Sequence, residues 1–348
     1  MAEAPTPPPR KLKPPMSRLM RLSLKFVDWV TDATRRADGT LNRCALSLMD
    51  PRVPAISFPC RGVASRDVVL DGALRLRARL FHPATKAAKK STAPVPVIVF
   101  FHGGGFAYLS AASAAYDAAC RRIARYASAA VLSVDYRRAP EHRFPAPYDD
   151  GVAALRFLDD PNNHPAAIPL DVSRCFVAGD SAGGNIAHHV ARRYASDAAS
   201  FRNVRVAGLV AIQPFFGGEE RTPSELRLDG AAPIVSIDRT DWMWRAFLPP
   251  GCDRTHEAAN FASPAAAAGL DSPAFPPVLL AIGGFDPLQD WQRPYGEMLK
   301  SMGKDVRVVE YPDAIHAFYV FPGFDDARDF MIRIAEFVAE SAGGGSSD

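Results

Sequence analysis

An apolar run, Cys175-Phe176-Val177-Ala178, ends in Gly179-Asp180-Ser181-Ala182-Gly183 and passes at once into the helical run Asn185-Ile186-Ala187-His188-His189-Val190. A strand that turns this sharply into a helix forces its middle residue into strained backbone. It also demands small neighbours, so that strand and helix can approach. A serine there is held above the end of a sheet at a helix N-terminus, where negative charge is favoured. The pattern Gly-x-Ser-x-Gly is short and recurs as a plain glycine-rich turn. Its chemical meaning therefore depends on what the rest of the chain places beside it.

Strands and helices alternate along the chain. Alternating residues over 63–82 predict a pair of half-buried strands, and the run Val95–Phe101 a strand buried on both faces. Helices are predicted over 111–127, 148–158, 185–195, 291–302 and 327–342, and strands over 130–134, 173–178, 204–213, 278–282 and 306–311. This order implies an α/β fold with a mostly parallel sheet wrapped by helices on both faces, and a site at the carboxyl ends of the strands. Residues 217–272 break the rhythm with Pro223, Pro233, Pro249 and Pro250 and the aromatic cluster Trp242, Trp244 and Phe247, as an inserted cap would. Residues 16–34 read as an amphipathic helix. Such a helix can lie on a membrane but more commonly packs on its own domain. The proline-rich residues 1–15 and the tail 343–348 read as disordered or flexible.

The bulk properties exclude several classes. A net charge of +3 over 348 residues gives no electrostatic case for nucleic acid. The five cysteines, Cys44, Cys60, Cys120, Cys175 and Cys252, are odd in number, widely spaced and free of any Cys-x-x-Cys pair, which argues against zinc and against a disulfide framework. No apolar stretch suits a signal peptide or a membrane span, so a cytoplasmic location, with the nucleus as a second one, and no stable membrane association are expected.

Three further signals fall at strand ends. His102-Gly103-Gly104-Gly105 follows the strand ending at Phe101. Glycines let backbone N–H groups approach an oxyanion, and the Walker pattern that would make this a phosphate loop is absent. Gly103 and Gly104, with the Ala182 amide, are the expected oxyanion donors, and His102 is expected to be structural. Asp286, in Gly283-Gly284-Phe285-Asp286-Pro287, is the carboxylate placed to orient a histidine, with Asp290 as the alternative. His316, after the strand 306–311 and the loop 312–315, is the base that a serine nucleophile needs at neutral pH. The order Ser181, Asp286, His316 is that of the α/β-hydrolases.

The chain resembles the hormone-sensitive-lipase-like branch of the α/β-hydrolases, and within it the plant carboxylesterases. The matching stretches are His102-Gly-Gly-Gly-Phe106, Asp135-Tyr-Arg-Arg-Ala-Pro-Glu-His142, Gly179-Asp-Ser-Ala-Gly-Gly-Asn185, Asp286-Pro-Leu288 and His316-Ala-Phe318. The resemblance implies an eight-stranded α/β-hydrolase domain over 61–342 and an N-terminal lid over 16–60. It also implies ester hydrolysis through a Ser181-His316-Asp286 triad on a small to medium ester, without metal or cofactor. Gly105, Phe106 and Asp180 are expected beside the substrate, and Trp242, Trp244 and Phe247 in the pocket wall. Gibberellin receptors resemble the chain too, at Arg36-Ala-Asp-Gly-Thr-Leu-Asn-Arg43, Tyr136-Arg-Arg-Ala-Pro-Glu141 and Asp290-Trp-Gln292. They imply the alternative of a hormone-binding protein with a protein partner, or a slow hormone hydrolase. Those receptors carry an aliphatic residue where this chain has His316 and a serine where it has Gly105.

Overall fold

The apolar runs resolve into one sheet whose strands bury side chains on both faces. The computed structural model describes residues 14–36, 38–83, 93–165 and 168–340. The eight strands are β1 (Val63–Asp71), β2 (Leu76–Pro83), β3 (Val95–Phe101), β4 (Ala130–Asp135), β5 (Leu170–Asp180), β6 (Val206–Ile212), β7 (Val278–Phe285) and β8 (Val306–Ile315). They lie in the order β1-β2-β4-β3-β5-β6-β7-β8. β1 and β2 form an antiparallel pair, β2 meets β4 antiparallel, and every later pairing is parallel. Successive residues of β3 divide between two cores: Val97, Val99 and Phe101 join one, Ile98 and Phe100 the other. That two-residue period places helices on both faces. α4 (Ala146–Asp159), α5 (Ala182–Ser196) and α8 (Gln289–Ser301) cover the first; α3 (Ala114–Ala127) and α9 (Asp325–Glu340) cover the second.

Two boundaries differ from the sequence reading in ways that matter for the site. The helix expected from residue 111 starts at Ala114, because Ser113 leaves the helical path and its hydroxyl donates to Asp50 at 2.7 Å. The loop expected at 312–315 is part of β8, which runs to Ile315 and delivers His316 directly. The strand absorbs the mismatch as a register shift: Gly283 pairs with Tyr311, and Phe285, two residues on, with Ile315, four residues on. Pro312 falls inside that irregular stretch, where a missing N–H is tolerated. The predicted tails at 1–15 and 343–348 lie almost entirely outside the described residues.

Residues 217–272 join β6 to β7 and contain no strand among the described residues. They hold α6 (Pro223–Leu228), whose start is closed by a reciprocal Thr222–Glu225 capping box, and α7 (Ile237–Phe247). N-terminal to the sheet, α1 (Arg18–Thr34) and α2 (Arg43–Met49) cross the strand ends. α1 is tied to α7 by Arg239, whose guanidinium donates to Asp32 (Nε to Oδ1, 2.8 Å; Nη2 to Oδ2, 2.7 Å) and to Asp28 (2.6 Å). α2 is tied to the loops that follow β3 and β4 by Arg43, which donates to the Ala107 and Ala139 carbonyls and to Glu141. Cys120 and Cys175 are buried free thiols, as their apolar surroundings imply.

The helix after the elbow carries a buried histidine pair. His188 Nδ1 lies 2.9 Å from the Tyr295 hydroxyl, and His189 stacks on Tyr148 at 4.4 Å with neither ring nitrogen partnered among the described residues. Burial, reinforced by the charge of Arg192, pushes His188 down to about 3 and His189 well below its ordinary value. Unfolded histidine takes up protons from about pH 6.5 downward. These rings therefore contribute stability that is complete above that pH and is lost as pH falls. The slope is about 1.4 kcal/mol per pH unit for each ring. Urea unfolding at pH 7, 6 and 5 should show this decline, and His189→Phe should flatten it.

Candidate active site

Ser181 sits at φ +54° and ψ −122°, a conformation that a residue with a Cβ adopts only under constraint. The constraint is the approach of α5 to the strands. A Cβ on Gly183 would stand 2.0 Å from the Phe101 carbonyl oxygen, and one on Gly179 would stand 2.2 Å from the Gly183 oxygen. The Ser181 amide donates to Ile212 O at 2.9 Å, and its carbonyl accepts from Asn185 and Phe215. Backbone on both sides is thus fixed, and the hydroxyl stands at the N-terminus of α5.

His316 leaves β8 against Asp286, which leaves β7. Nδ1 lies 2.8 Å from Asp286 Oδ2, and since a carboxylate only accepts, Nδ1 carries the proton and Nε2 the lone pair. Asp286 is completely buried, and its oxygens also accept from the Leu288 amide and from the side chains of Gln213 and Gln292 at 2.9–3.0 Å. Burial alone would disfavour the imidazolium. The charge of Asp286 and its hydrogen bond outweigh that, so the His316 pKa lies above the ordinary 6.5. Asp290, the alternative acid, instead accepts from the Ser224 amide at 2.8 Å.

Gln213 was not anticipated. Its Nε2 donates to Asp286 and to Ile315 O, and its Oε1 accepts from the Ala317 amide, so it clasps His316 on both chain sides and the acid as well. Gly283 leaves it room: a Cβ there would stand 2.4 Å from Gln213 Nε2. The available signal was positional, since Gln213 ends the predicted strand 204–213.

In the glycine loop the structure differs from the sequence reading at Gly103, whose amide is already bonded. The Gly103 N–H donates to Asp180 Oδ1 at 2.9 Å and to the Tyr116 hydroxyl oxygen at 2.8 Å, and that hydroxyl donates to Asp180 Oδ2. Gly103 is thereby engaged and is not free to meet an oxyanion. The amides of Gly104 (φ +103°) and Gly105 (φ +57°) have no acceptor among the described residues, and both glycines line the cavity over Ser181. Asp180 reaches the cavity wall, but both its oxygens hold the loop. Burial raises its pKa to about 6 against the opposing hydrogen bond from Tyr116 and charge of His316. His102 is structural: buried, stacked 4.3 Å from Tyr136, and pushed by burial down to about 4.

The aromatic residues expected in the pocket wall lie behind it. Phe247 stacks on Phe106 at 3.7 Å, Trp244 packs on Phe215 at 4.3 Å, and Trp242 packs on Tyr108 at 6.0 Å. Trp242, Trp244, Phe247 and Phe106 are all buried and none lines the cavity. Large rings gain more from the interior than from a solvent-facing wall. The residues of α7 that do face the cavity are Arg239, Thr240 and Met243, of which Met243 stands against the glycine loop. The space itself is about 270 Å³, running from Ser181, His316, Gly104 and Gly105 to Phe26, Val27 and Val30 of α1 and Leu46 and Met49 of α2.

This geometry can be set beside known proteins. A family model described as the alpha/beta hydrolase fold matches residues 98–320. The chain belongs to the α/β-hydrolase fold family. It is 42% identical to the gibberellin receptor GID1C of Arabidopsis thaliana over 87% of this chain and 89% of the receptor. It is 34% identical to carboxylesterase 20 of the same plant over 79% of this chain and 84% of that protein. Among solved structures, a hyperthermophilic esterase from Pyrobaculum calidifontis superposes with a TM-score of 0.73 at 28% identity, covering 94% of this chain and 99% of the esterase. The fold is thus one that both hydrolases and a hormone receptor use. No helix among the described residues is long and apolar enough to cross a membrane.

Gln213→Leu should test the clasp. It strands the part-buried Ala317 amide and the Ile315 carbonyl, and removes one donor from the fully buried Asp286. The expected loss is about 3 kcal/mol, read by urea unfolding. Gln213→Glu, which sets a second carboxylate against Asp286, should lose at least as much.

Proposed function

We propose that the protein is a serine carboxylesterase with Ser181 as nucleophile, His316 as base and Asp286 as the carboxylate that orients His316. The observation that carries this reading is a histidine fixed in one tautomer by a fully buried carboxylate, lining the same cavity as a serine on a strained elbow. His316 Nε2 takes the Ser181 proton as Oγ attacks the ester carbonyl carbon. The carbonyl π pair moves to oxygen, and the resulting oxyanion accepts from the amides of Gly104, Gly105 and Ala182. As the tetrahedral centre collapses, His316 returns the proton to the departing alcohol and an acyl-serine remains. Water then attacks the acyl carbon, giving its proton to Nε2. As the acyl carbon–Oγ bond breaks and the acid leaves, Nε2 gives that proton to Ser181 Oγ, so ester and water become acid and alcohol with no cofactor required.

The substrate suited to this space is a small to medium ester with apolar substituents. Residues 16–60 would serve as a lid and 217–272 as a cap, since α1, α2 and α7 roof the cavity. Ser181→Ala and His316→Ala should each lower kcat/KM on p-nitrophenyl butyrate by about 10⁴ or more. Equal rates for wild type and Ser181→Ala would end the proposal. Because the base must be neutral and its pKa is raised, kcat/KM should fall on the acid side with an apparent pKa above 6.5, a limb absent from the residual activity of His316→Ala.

A second reading is favoured by the 42% identity to a gibberellin receptor: hormone binding under the α1 roof, with slow or no hydrolysis. Calorimetry of gibberellin into Ser181→Ala protein tests it. Saturable heat with no ester turnover by wild type would support the receptor reading, and no heat at high ligand concentration would dismiss it.

A further inference from the structure

We propose that Met243 is the specificity-determining side chain of this site, limiting the bulk allowed next to the ester carbonyl. The claim rests on the placement of that carbonyl at Gly104 and Gly105 in the esterase reading above. Met243 occupies the space that a side chain at position 105 would need: a Cβ on Gly105 would stand 2.1 Å from its Sδ, 2.6 Å from Cγ and 2.8 Å from Cε. Met243 also lines the cavity together with Gly104, Gly105, Ser181 and His316, so a substituent on a carbonyl carbon bound at this loop is placed beside the same thioether.

The side chain is held there from both sides along one stripe of α7, since residues four apart share a helix face. One turn before it, Arg239 is locked to Asp28 and Asp32 of α1. One turn after it, Phe247 stacks face to face on Phe106, with rings 3.7 Å apart and 7° from parallel. Phe106 is the residue next to Gly105, so consecutive turns of α7 rest on consecutive residues of the glycine loop. Trp244 packs on Phe215, which itself lines the cavity, and keeps the helix from rolling. Methionine is a flexible side chain, but the anchored backbone of α7 cannot retreat, so the bulk of the thioether stays beside the glycine loop. Gly105 and Met243 are consequently one unit: a larger residue at 105 requires a smaller one at 243.

Two measurements test this. Met243→Ala should raise the ratio of kcat/KM for p-nitrophenyl pivalate over p-nitrophenyl acetate by at least about tenfold relative to wild type, the scale on which pockets discriminate methyl groups. Met243→Leu should keep the wild-type ratio. An unchanged ratio in Met243→Ala overturns the proposal. The second is a thermal-unfolding cycle of Gly105→Ala, Met243→Ala and the double variant. The strain of alanine at φ +57° is common to both backgrounds and cancels. The drop in Tm caused by Gly105→Ala should be at least halved when residue 243 is alanine. Additive drops overturn the contact on which the wall depends. Should Ser181→Ala hydrolyse these esters as fast as wild type, the esterase reading falls, while the unfolding cycle still decides the contact.

Discussion

The site depends on how closely α5 approaches the carboxyl ends of β3 and β5. With 2.0 Å between a would-be Cβ on Gly183 and the Phe101 oxygen, no side chain is admissible there. The chain therefore turns from strand to helix within a few residues, and Ser181 is left in backbone that only its surroundings can hold. The same proximity brings Asp180, at the end of β5, within hydrogen-bond reach of Gly103, just past the end of β3. One steric fact thus sets both the serine and the loop opposite it. The strain at Ser181 is supported by three backbone bonds, to Ile212, Asn185 and Phe215, that belong to neighbouring elements of the fold.

Two buried carboxylates divide the electrostatic work. Asp286 has donors converging from the end of β6, from α8 and from the end of β8. Asp180 has a tyrosine hydroxyl and one amide, and burial raises its pKa to about 6. The first faces the ring that, in the hydrolase reading, gains and loses a proton. The second faces a loop that must stay still. Both lie near strand ends, so the chemistry draws on rigid elements for its positions and on the roofing helices for its walls.

What could be read from the sequence follows from how local each feature is. The elbow, the acid and the histidine each stand beside a strand end, so periodicity and chain order suffice to find them, and the register shift in β8 moves His316 without changing its neighbours. The glycine loop was legible as a loop, but not which of its amides the fold engages. Three consecutive glycines look alike until the Tyr116 hydroxyl, on an α3 that starts three residues later than expected, is seen to accept from the first of them. The aromatic cluster was legible as a helix face, yet which rings face inward depends on what α7 packs against. That partner, the Phe106–Phe215 pair, is more than a hundred residues away for one ring and near the end of β6 for the other. Gln213 escaped notice because a glutamine signals nothing by its type; its role exists only once β6, β7 and β8 stand side by side.

That same distinction bears on how one fold serves both a carboxylesterase and a gibberellin receptor among this chain's relatives. The elbow is a packing solution first, since Gly179 and Gly183 are demanded by the sheet whether or not the serine reacts. A receptor can therefore keep it at no functional cost. A base is different. A buried carboxylate with three side-chain donors on it is a poor structural device unless one of those donors is meant to carry charge, because apolar residues would fill the space at lower desolvation cost. The weight of the hydrolase reading accordingly rests on the Asp286–His316 pair and on the open amides of Gly104 and Gly105, and Ser181 takes its meaning from them.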